Sequence, residues 1–255
     1  MAQRPESVLI TGASSGLGAA LARHYAAPGV TLALTGRDSK RLEDVAAECR
    51  AKGAGVTSGV VDVTDAAFMA AFVAAADLQA PLDLVIANAG VSAGTGEGDE
   101  PAEQARRITA INVDGVLNTV EPAVAAMRKR GRGQIGLVSS LAAFRGFPGA
   151  PAYCGSKAWV KTWGEGMRGH LHGERIGLSV ICPGFVKTPM TARNPYPMPF
   201  LWSADKAARV IARGLARNKA RIAFPFPLYA LVWYLGLLPP WLTDVFFRRL
   251  PKKPG

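Results

Sequence analysis

Tyr153 and Lys157 stand four positions apart in APAYCGSKAW, just after a loop rich in glycine and proline. Residues at i and i+4 share one face of a helix, which would set an ammonium beside a phenol. A phenol titrates at about 10, and a cation within about 4–6 Å favours phenolate, drawing the group toward proton transfer near neutrality. Such pairs also arise from ordinary helix-surface packing. The rest of the chain has to decide between the two.

A second cluster is TGASSGLG at 11–18, directly after the apolar run SVLI, with Gly12, Gly16 and Gly18 in a turn that opens a helix. Glycines there allow a tight turn and a close backbone approach to a pyrophosphate, which the free N–H groups of the helix N-terminus then meet. The spacing lacks the Lys and Ser/Thr of a P-loop, which argues against an ATPase or GTPase and for a dinucleotide. A glycine-rich turn with no ligand is the plain alternative. Ser15 adds a hydroxyl donor to the turn.

Some twenty residues on, LALTGRD ends a second strand with Gly36 and Arg37. An acid there would hold a free ribose 2′-hydroxyl, whereas an arginine suits a 2′-phosphate, so the pattern favours NADP(H) over NAD(H). Asp38 precedes SKRLEDVA and reads as a helix N-cap.

Holding such groups together takes a scaffold. SVLI, VTLALT, GVTSGVV, LDLVIAN, QIGLVSS, RIGLSVI and RIAF read as strands, and the segments between them, such as LGAALARHYAA, SKRLEDVAAECRAK, DAAFMAAFVAAA, 101–129 and 152–171, read as helices. The alternation predicts an α/β fold, a single doubly wound Rossmann domain with a parallel sheet of about seven strands. The expected boundaries are a catalytic domain over 1–225 and an apolar, basic extension over 226–255.

The chain of 255 residues is 49% hydrophobic and 19% charged, which excludes a disordered protein, and its net charge of +11 suggests anionic company. Three cysteines without CxxC spacing indicate no disulfide framework, and His170 and His172 face different sides of a helix, so no metal site is expected. MAQRPE runs straight into SVLI, leaving no room for a signal peptide, so a cytoplasmic location is expected. The basic RKRGR at 128–132 follows a helix and lacks interleaved aromatics, which marks a solvated cap and not a nucleic-acid site.

The extension FPFPLYALVWYLGLLPPWLTDVFFRRLPKKPG has a longest apolar run of 11 residues, too short to span a bilayer. Three readings stand: a lid over an apolar pocket, a subunit contact, or a segment in a membrane interface. In the last, Trp233, Tyr234 and Trp241 would lie near the headgroups and Arg248, Arg249, Lys252 and Lys253 would meet anionic lipid.

The motifs TGASSGLG, Asp62–Val63, NAG at 88–90, Asn112 in INVDG, Ser140 in LVSSLAA, YCGSK at 153–157 and PGFVKTP at 183–189, in this order, resemble the short-chain dehydrogenase/reductase superfamily. The resemblance covers most of the chain; its small departure is ANAG, with Ala87, where NNAG is common. It implies an NAD(P)-dependent oxidoreductase moving a hydride between the nicotinamide and a carbonyl or secondary alcohol, with catalytic roles for Asn112, Ser140, Tyr153 and Lys157. Ser140 is preferred to Ser139 for its spacing to the tyrosine. Lys157 would lower the tyrosine pKa and hold the nicotinamide ribose, and Asn112 would hold a water leading from Lys157 to solvent.

The resemblance further implies cofactor contacts from Gly12, Ser14, Ser15, Gly16, Leu17 and Gly18, and from Asp62 and Val63 to the adenine. Asn88, Ala89 and Gly90 would support the cofactor, as would Pro183, Gly184, Val186 and Thr188 at the carboxamide, and Tyr153 and Lys157. It implies a homodimer or homotetramer through the helices around 101–129 and 153–170. Phe144, Phe147, Met190, Phe200 and Trp202 near the expected mouth suggest an apolar substrate. A catalytically inactive NADPH-binding relative and a membrane-peripheral reductase of lipid or steroid-type ketones are the alternatives.

Overall fold

The β-branched runs form strands and the alanine-rich segments form helices in a computed structural model that describes residues 4–96, 98–194 and 196–247. In chain order these are β1 (Ser7–Ile10), α1 (Gly16–Tyr25), β2 (Thr31–Gly36), α2 (Ser39–Ala51), β3 (Gly55–Val60), α3 (Ala66–Gln79), β4 (Leu84–Ala87), α4 (Ala102–Thr109), α5 (Gly115–Arg130) and β5 (Gly133–Val138). They continue with α6 (Pro151–Leu171), β6 (Ile176–Pro183), the short β7 (Val186–Lys187) and β8 (Trp202–Ser203), α7 (Ala204–Ala216), β9 (Arg221–Phe224), α8 (Phe226–Leu237) and α9 (Pro240–Phe247).

Seven strands pair in parallel in the order β3-β2-β1-β4-β5-β6-β9. Val8 lies opposite both Leu32 and Leu84, so β1 is bonded on its two sides. The chain winds outward from β1 to β3, then returns and winds the other way from β4, and this reversal opens a crevice at the carboxyl ends of β1 and β4. Strands covered on both faces have no solvent side to keep polar. Accordingly SVLI of β1 and LVIA of β4 are buried throughout, whereas edge strand β3 carries Thr57 and Ser58 and is only partly covered.

Leu21, Leu42, Ile211 and Leu215, from α1, α2 and α7, pack one face of the sheet. Met69, Val120, Met127 and Val160, from α3, α5 and α6, pack the other. Helix α7, which the sequence reading did not name, buries a stripe of Ala207, Ala208, Ile211, Ala212 and Leu215. Asp38 caps α2, its carboxylate accepting from the Arg41 N–H at 2.9 Å. In the RKRGR segment, Arg128 pairs with Glu174 and Arg130 with Asp77, and Gly131 (φ +65°) closes α5.

The single helix expected over 101–129 is broken. Between α4 and α5, residues Ala110–Asp114 form a π turn, which fits an extra residue into the helical path and holds Asn112 inside. The extension folds back on the domain. Tyr229 of α8 meets Phe144 edge to face at 5.4 Å, and Arg145 donates to Thr243 Oγ1 at 2.8 Å and to Asp244 Oδ1 at 3.0 Å. Among the described residues no helix is long and apolar enough to cross a membrane. Arg248, Arg249, Lys252 and Lys253 lie outside the described residues.

Helix α6 approaches the sheet through Gly164, where a Cβ would stand 2.6 Å from Leu137 Cδ1 and 2.8 Å from Val180 Cγ2; at Gly166 it would meet nothing within 4 Å. Gly164→Val should therefore destabilise the fold by about 1–3 kcal/mol through overpacking. Gly166→Ala in the same helix should be neutral or stabilise by up to about 1 kcal/mol. Urea denaturation checks both, and equal effects would show that α6 is not held this close.

Candidate active site

The crevice beyond β1 and β4 is a cleft of about 630 Å³, walled by the segments that follow β1 through β6. Gly12, Ser14, Ser15, Gly16, Leu17 and Gly18 line its floor. Arg37, Asp62 and Val63 line one end, Asn88, Ala89 and Gly90 the middle, and Ser140, Tyr153, Lys157, Pro183, Gly184, Val186 and Thr188 the other. Of the catalytic and cofactor-binding residues expected from sequence, only Asn112 is absent from the wall.

The floor is a cradle that fits a dinucleotide phosphate. Gly12 (φ +67°) and Gly16 (φ +57°) take left-handed conformations, and a Cβ at Gly12 would lie 2.8 Å from Ala89 Cα. Ser15, at the N-cap of α1, makes no side-chain cap, so the opening N–H groups of the helix are left to a ligand. Asn88 fixes the cradle from β4: its amide donates to the carbonyls of Thr11 at 2.9 Å and Gly12 at 3.2 Å. The residue is a tie between two strands as well as part of the wall. Thr188 packs against Gly16 from across the cleft, its own turn pinned by Thr191, whose Oγ1 accepts from the Thr188 N–H at 3.0 Å.

At the far end, Gly36 is closed to any side chain, since a Cβ there would lie 2.9 Å from Ser14 Cβ. Arg37 is exposed and lines the cleft together with Arg41, a residue the sequence reading passed over. The signal was available: Arg41 sits three residues after the N-cap, on the first turn of α2. Its side chain bonds Asp38 Oδ2 at 2.7 Å, and the Arg41 N–H, then this side chain, hold the Asp38 carboxyl below its usual range. The Thr64 N–H likewise lowers Asp62, helped by the Thr64 hydroxyl and the charges of Arg37 and Arg107.

The end lined by Ser140, Tyr153 and Lys157 is built on the junction of β5 and α6. Ser139 and Ser140 part company here. Ser139 is buried and its hydroxyl donates to the Lys157 carbonyl at 2.7 Å, while Ser140 hydrogen-bonds Tyr153 and accepts from the Ala142 N–H at 3.1 Å. Lys157 is 4% exposed, and its ammonium donates to the Val138 carbonyl at 2.9 Å.

Burial dominates both titrations. It pushes the Tyr153 phenol up to about 12 against the pull of its hydrogen bond with Ser140, and it pushes Lys157 down to about 8. This corrects the sequence expectation of a depressed tyrosine. Tyr153 lines the cleft and is half-buried, and loss of hydration penalises phenolate more than the Ser140 hydrogen bond favours it.

Asn112 lies behind the wall of the cleft. It is fully buried, and its side-chain amide is committed: Oδ1 accepts from the Val91 N–H at 2.8 Å, and Nδ2 donates to the Val91 carbonyl and to Ser156 Oγ, both at 3.0 Å. Its amide ties the β4 loop to α6, with both Nδ2 hydrogens engaged. Among the five residues expected at an apolar mouth, only Met190 lines the cleft. Phe144 and Phe147 line a separate cavity beside Cys154 and Asp244, Trp202 stacks on Phe224 at 5.0 Å, and Phe200 is 55% exposed.

Comparison with known proteins agrees with this geometry. The profile of the short chain dehydrogenase family matches residues 6–197. An uncharacterized oxidoreductase of Myxococcus xanthus is 40% identical over 245 residues, covering 96% of this chain and 97% of that protein. The crystal structure of levodione reductase superposes with a TM-score of 0.80 at 25% identity, over 88% of this chain and 98% of that one. A short chain dehydrogenase from Mycobacterium paratuberculosis bound to NAD gives 0.76 at 25% identity, over 86% and 94%. With a phosphate cradle at the sheet's switch point, a tyrosine and lysine at its far end and these relatives, the chain belongs to the short-chain dehydrogenase family and is an oxidoreductase that works through a nicotinamide cofactor.

Proposed function

We propose that the protein interconverts a carbonyl and a secondary alcohol, with NADP(H) preferred over NAD(H). The observation that carries the reaction is the Ser140–Tyr153 hydrogen bond at the cleft, set above a buried Lys157. The glycine cradle would hold the pyrophosphate, Asp62 and Val63 the adenine end, and Lys157 and the Pro183–Thr188 segment the nicotinamide end. When bound, the nicotinamide supplies or accepts the hydride. Tyr153, protonated throughout the neutral range at a pKa of about 12, donates its proton to the carbonyl oxygen as negative charge develops there. Ser140, held by the Ala142 N–H, donates to the same oxygen and stabilises that charge. The Lys157 ammonium stabilises the phenolate left on Tyr153 after proton transfer, and a proton from solvent then restores the phenol. A non-catalytic cofactor-binding relative would have no use for this arrangement.

The cofactor preference rests on the second strand end. No acid can stand at Gly36 without displacing Ser14, Asp38 is occupied as the cap of α2 and the partner of Arg41, and Arg37 and Arg41 both face the cleft. A guanidinium at Arg37, beside an Asp38 carboxylate already engaged by Arg41, suits a 2′-phosphate. The NAD bound to the Mycobacterium paratuberculosis relative belongs to that protein.

Three measurements test the proposal. Tyr153→Phe should lower turnover with NADPH by about 10³-fold while cofactor affinity stays within a small factor, because the lost hydroxyl is the proton donor. Turnover near wild type would reject the assignment. Arg37→Ala should weaken NADPH binding about tenfold or more, and NADH hardly at all; equal weakening in a fluorescence titration would make Arg37 structural and withdraw the NADP(H) preference.

Lys157→Met should abolish turnover and yet stabilise the cofactor-free protein. The folded group titrates near 8 against an ordinary 10.5, so between those values the unfolded chain binds more protons and the group's cost to stability fades as pH rises. At pH 7 that cost is fully present. Its removal, less the lost hydrogen bond to Val138, should give about 2 kcal/mol in urea unfolding and flatten the rise in stability between pH 8 and 10.5. A destabilised variant would show that the lysine contributes more to the fold than its burial costs.

A further inference from the structure

Helix α8, FPLYALVWYLGL, contains no charged residue. Its inner side is accounted for: Leu228, Tyr229 and Val232 pack on the domain. The outer side is not. Phe226 is 74% exposed, Leu231 53%, Tyr234 57% and Leu237 62%, and Trp241 of α9 adds 74%. A helix facing water ordinarily turns a charged face outward, and so concentrated an apolar patch marks an interaction surface.

The charge pattern says what kind of partner fits. From 226 to the end the sequence holds one acid, Asp244, which is paired with Arg145. The last eight residues, RRLPKKPG, then carry Arg248, Arg249, Lys252 and Lys253 and no acid. Two chains at +11 each repel one another, whereas an anionic lipid surface attracts both the tail and the chain as a whole. The 12 residues of α8 extend about 18 Å, short of the roughly 30 Å of a hydrocarbon core, so the helix would lie in the interface with its aromatic residues at headgroup depth.

We propose that the outer face of α8 and α9, with the basic run that follows it, docks the protein on an anionic lipid bilayer. The surface stands next to the cleft. Tyr229 packs on Phe144, four residues past Ser140, and Leu228 lies against Gly184 of the cleft wall, where a Cβ would be 3.2 Å from Leu228 Cδ2. Docking there would bring the cleft to the bilayer surface and give access to lipid-dissolved carbonyl compounds. That last step rests on the proposed reaction; the docking itself does not.

The test is co-sedimentation of the full chain with vesicles of phosphatidylcholine, alone or mixed with phosphatidylserine, at low and high salt. The protein should sediment with the phosphatidylserine vesicles at low salt, and bind about tenfold more weakly without that lipid or at high salt. Trp233→Ser with Trp241→Ser, and separately Arg248→Gln with Arg249→Gln, should each cut binding about tenfold. Both pairs should keep the wild-type urea midpoint and NADPH affinity. Wild-type protein left in the supernatant with both vesicles would overturn the proposal while leaving the enzymatic reading intact. So would binding indifferent to lipid charge, or a dimer in light scattering that the tryptophan pair dissolves, since the surface would then be a subunit contact.

Discussion

The junction of β5 and α6 is the constraint on which the proposed chemistry depends. Three bonds fasten it: the Lys157 ammonium on the Val138 carbonyl, the Ser139 hydroxyl on the Lys157 carbonyl, and the Asn112 amide on Ser156. Ser156 Oγ in turn donates to the Tyr153 carbonyl at 2.8 Å. The first turns of α6 are thus tied to the sheet and to the π turn together, and Tyr153 has little freedom to move relative to Ser140. Such rigidity has a thermodynamic cost. A lysine placed where its charge is poorly hydrated destabilises the fold, and its retention makes sense where function needs a cation at that spot.

Burial also separates what spacing can reveal from what it cannot. The separation of Tyr153 and Lys157 gives their common helix face, but not the dielectric around them, and the dielectric sets the sign of both pKa shifts. The glycine turn was legible because its function is local: the residues that make the cradle are contiguous. The strands were legible for a similar reason, each being a short apolar run with no polar face. Asn112 was legible as part of a motif and illegible in its bonding. Its partners, Val91 and Ser156, are 21 and 44 residues away and meet it only after the sheet and the π turn have formed.

Residues expected at the mouth failed for a different reason. Aromatic type and nearness in sequence put Phe144, Phe147 and Trp202 close to the site without fixing which way they face. Trp202 turns to Phe224 with Lys206 over its ring, and Phe144 turns to Tyr229 with Arg221 and Lys161 near its face. These rings hold the extension and the loop before α7 in place, so the apolar material near the site serves packing first.

Phe144 therefore has neighbours on two sides with different duties. Behind it lie α8 and the Glu165–Arg221–Tyr229 chain of polar contacts; before it runs the short 3₁₀ turn Leu141–Ala143, capped by Ser140. A dense interior does not yield locally. The Ser140 hydroxyl is held by a backbone N–H of that same turn, so the position of the proposed donor and the seat of the extension are set by one segment of six residues, 140–145. The extension is in this sense part of the scaffold of the candidate site: its inner face packs on the segment that carries the proposed donor, and its outer face is the exposed one.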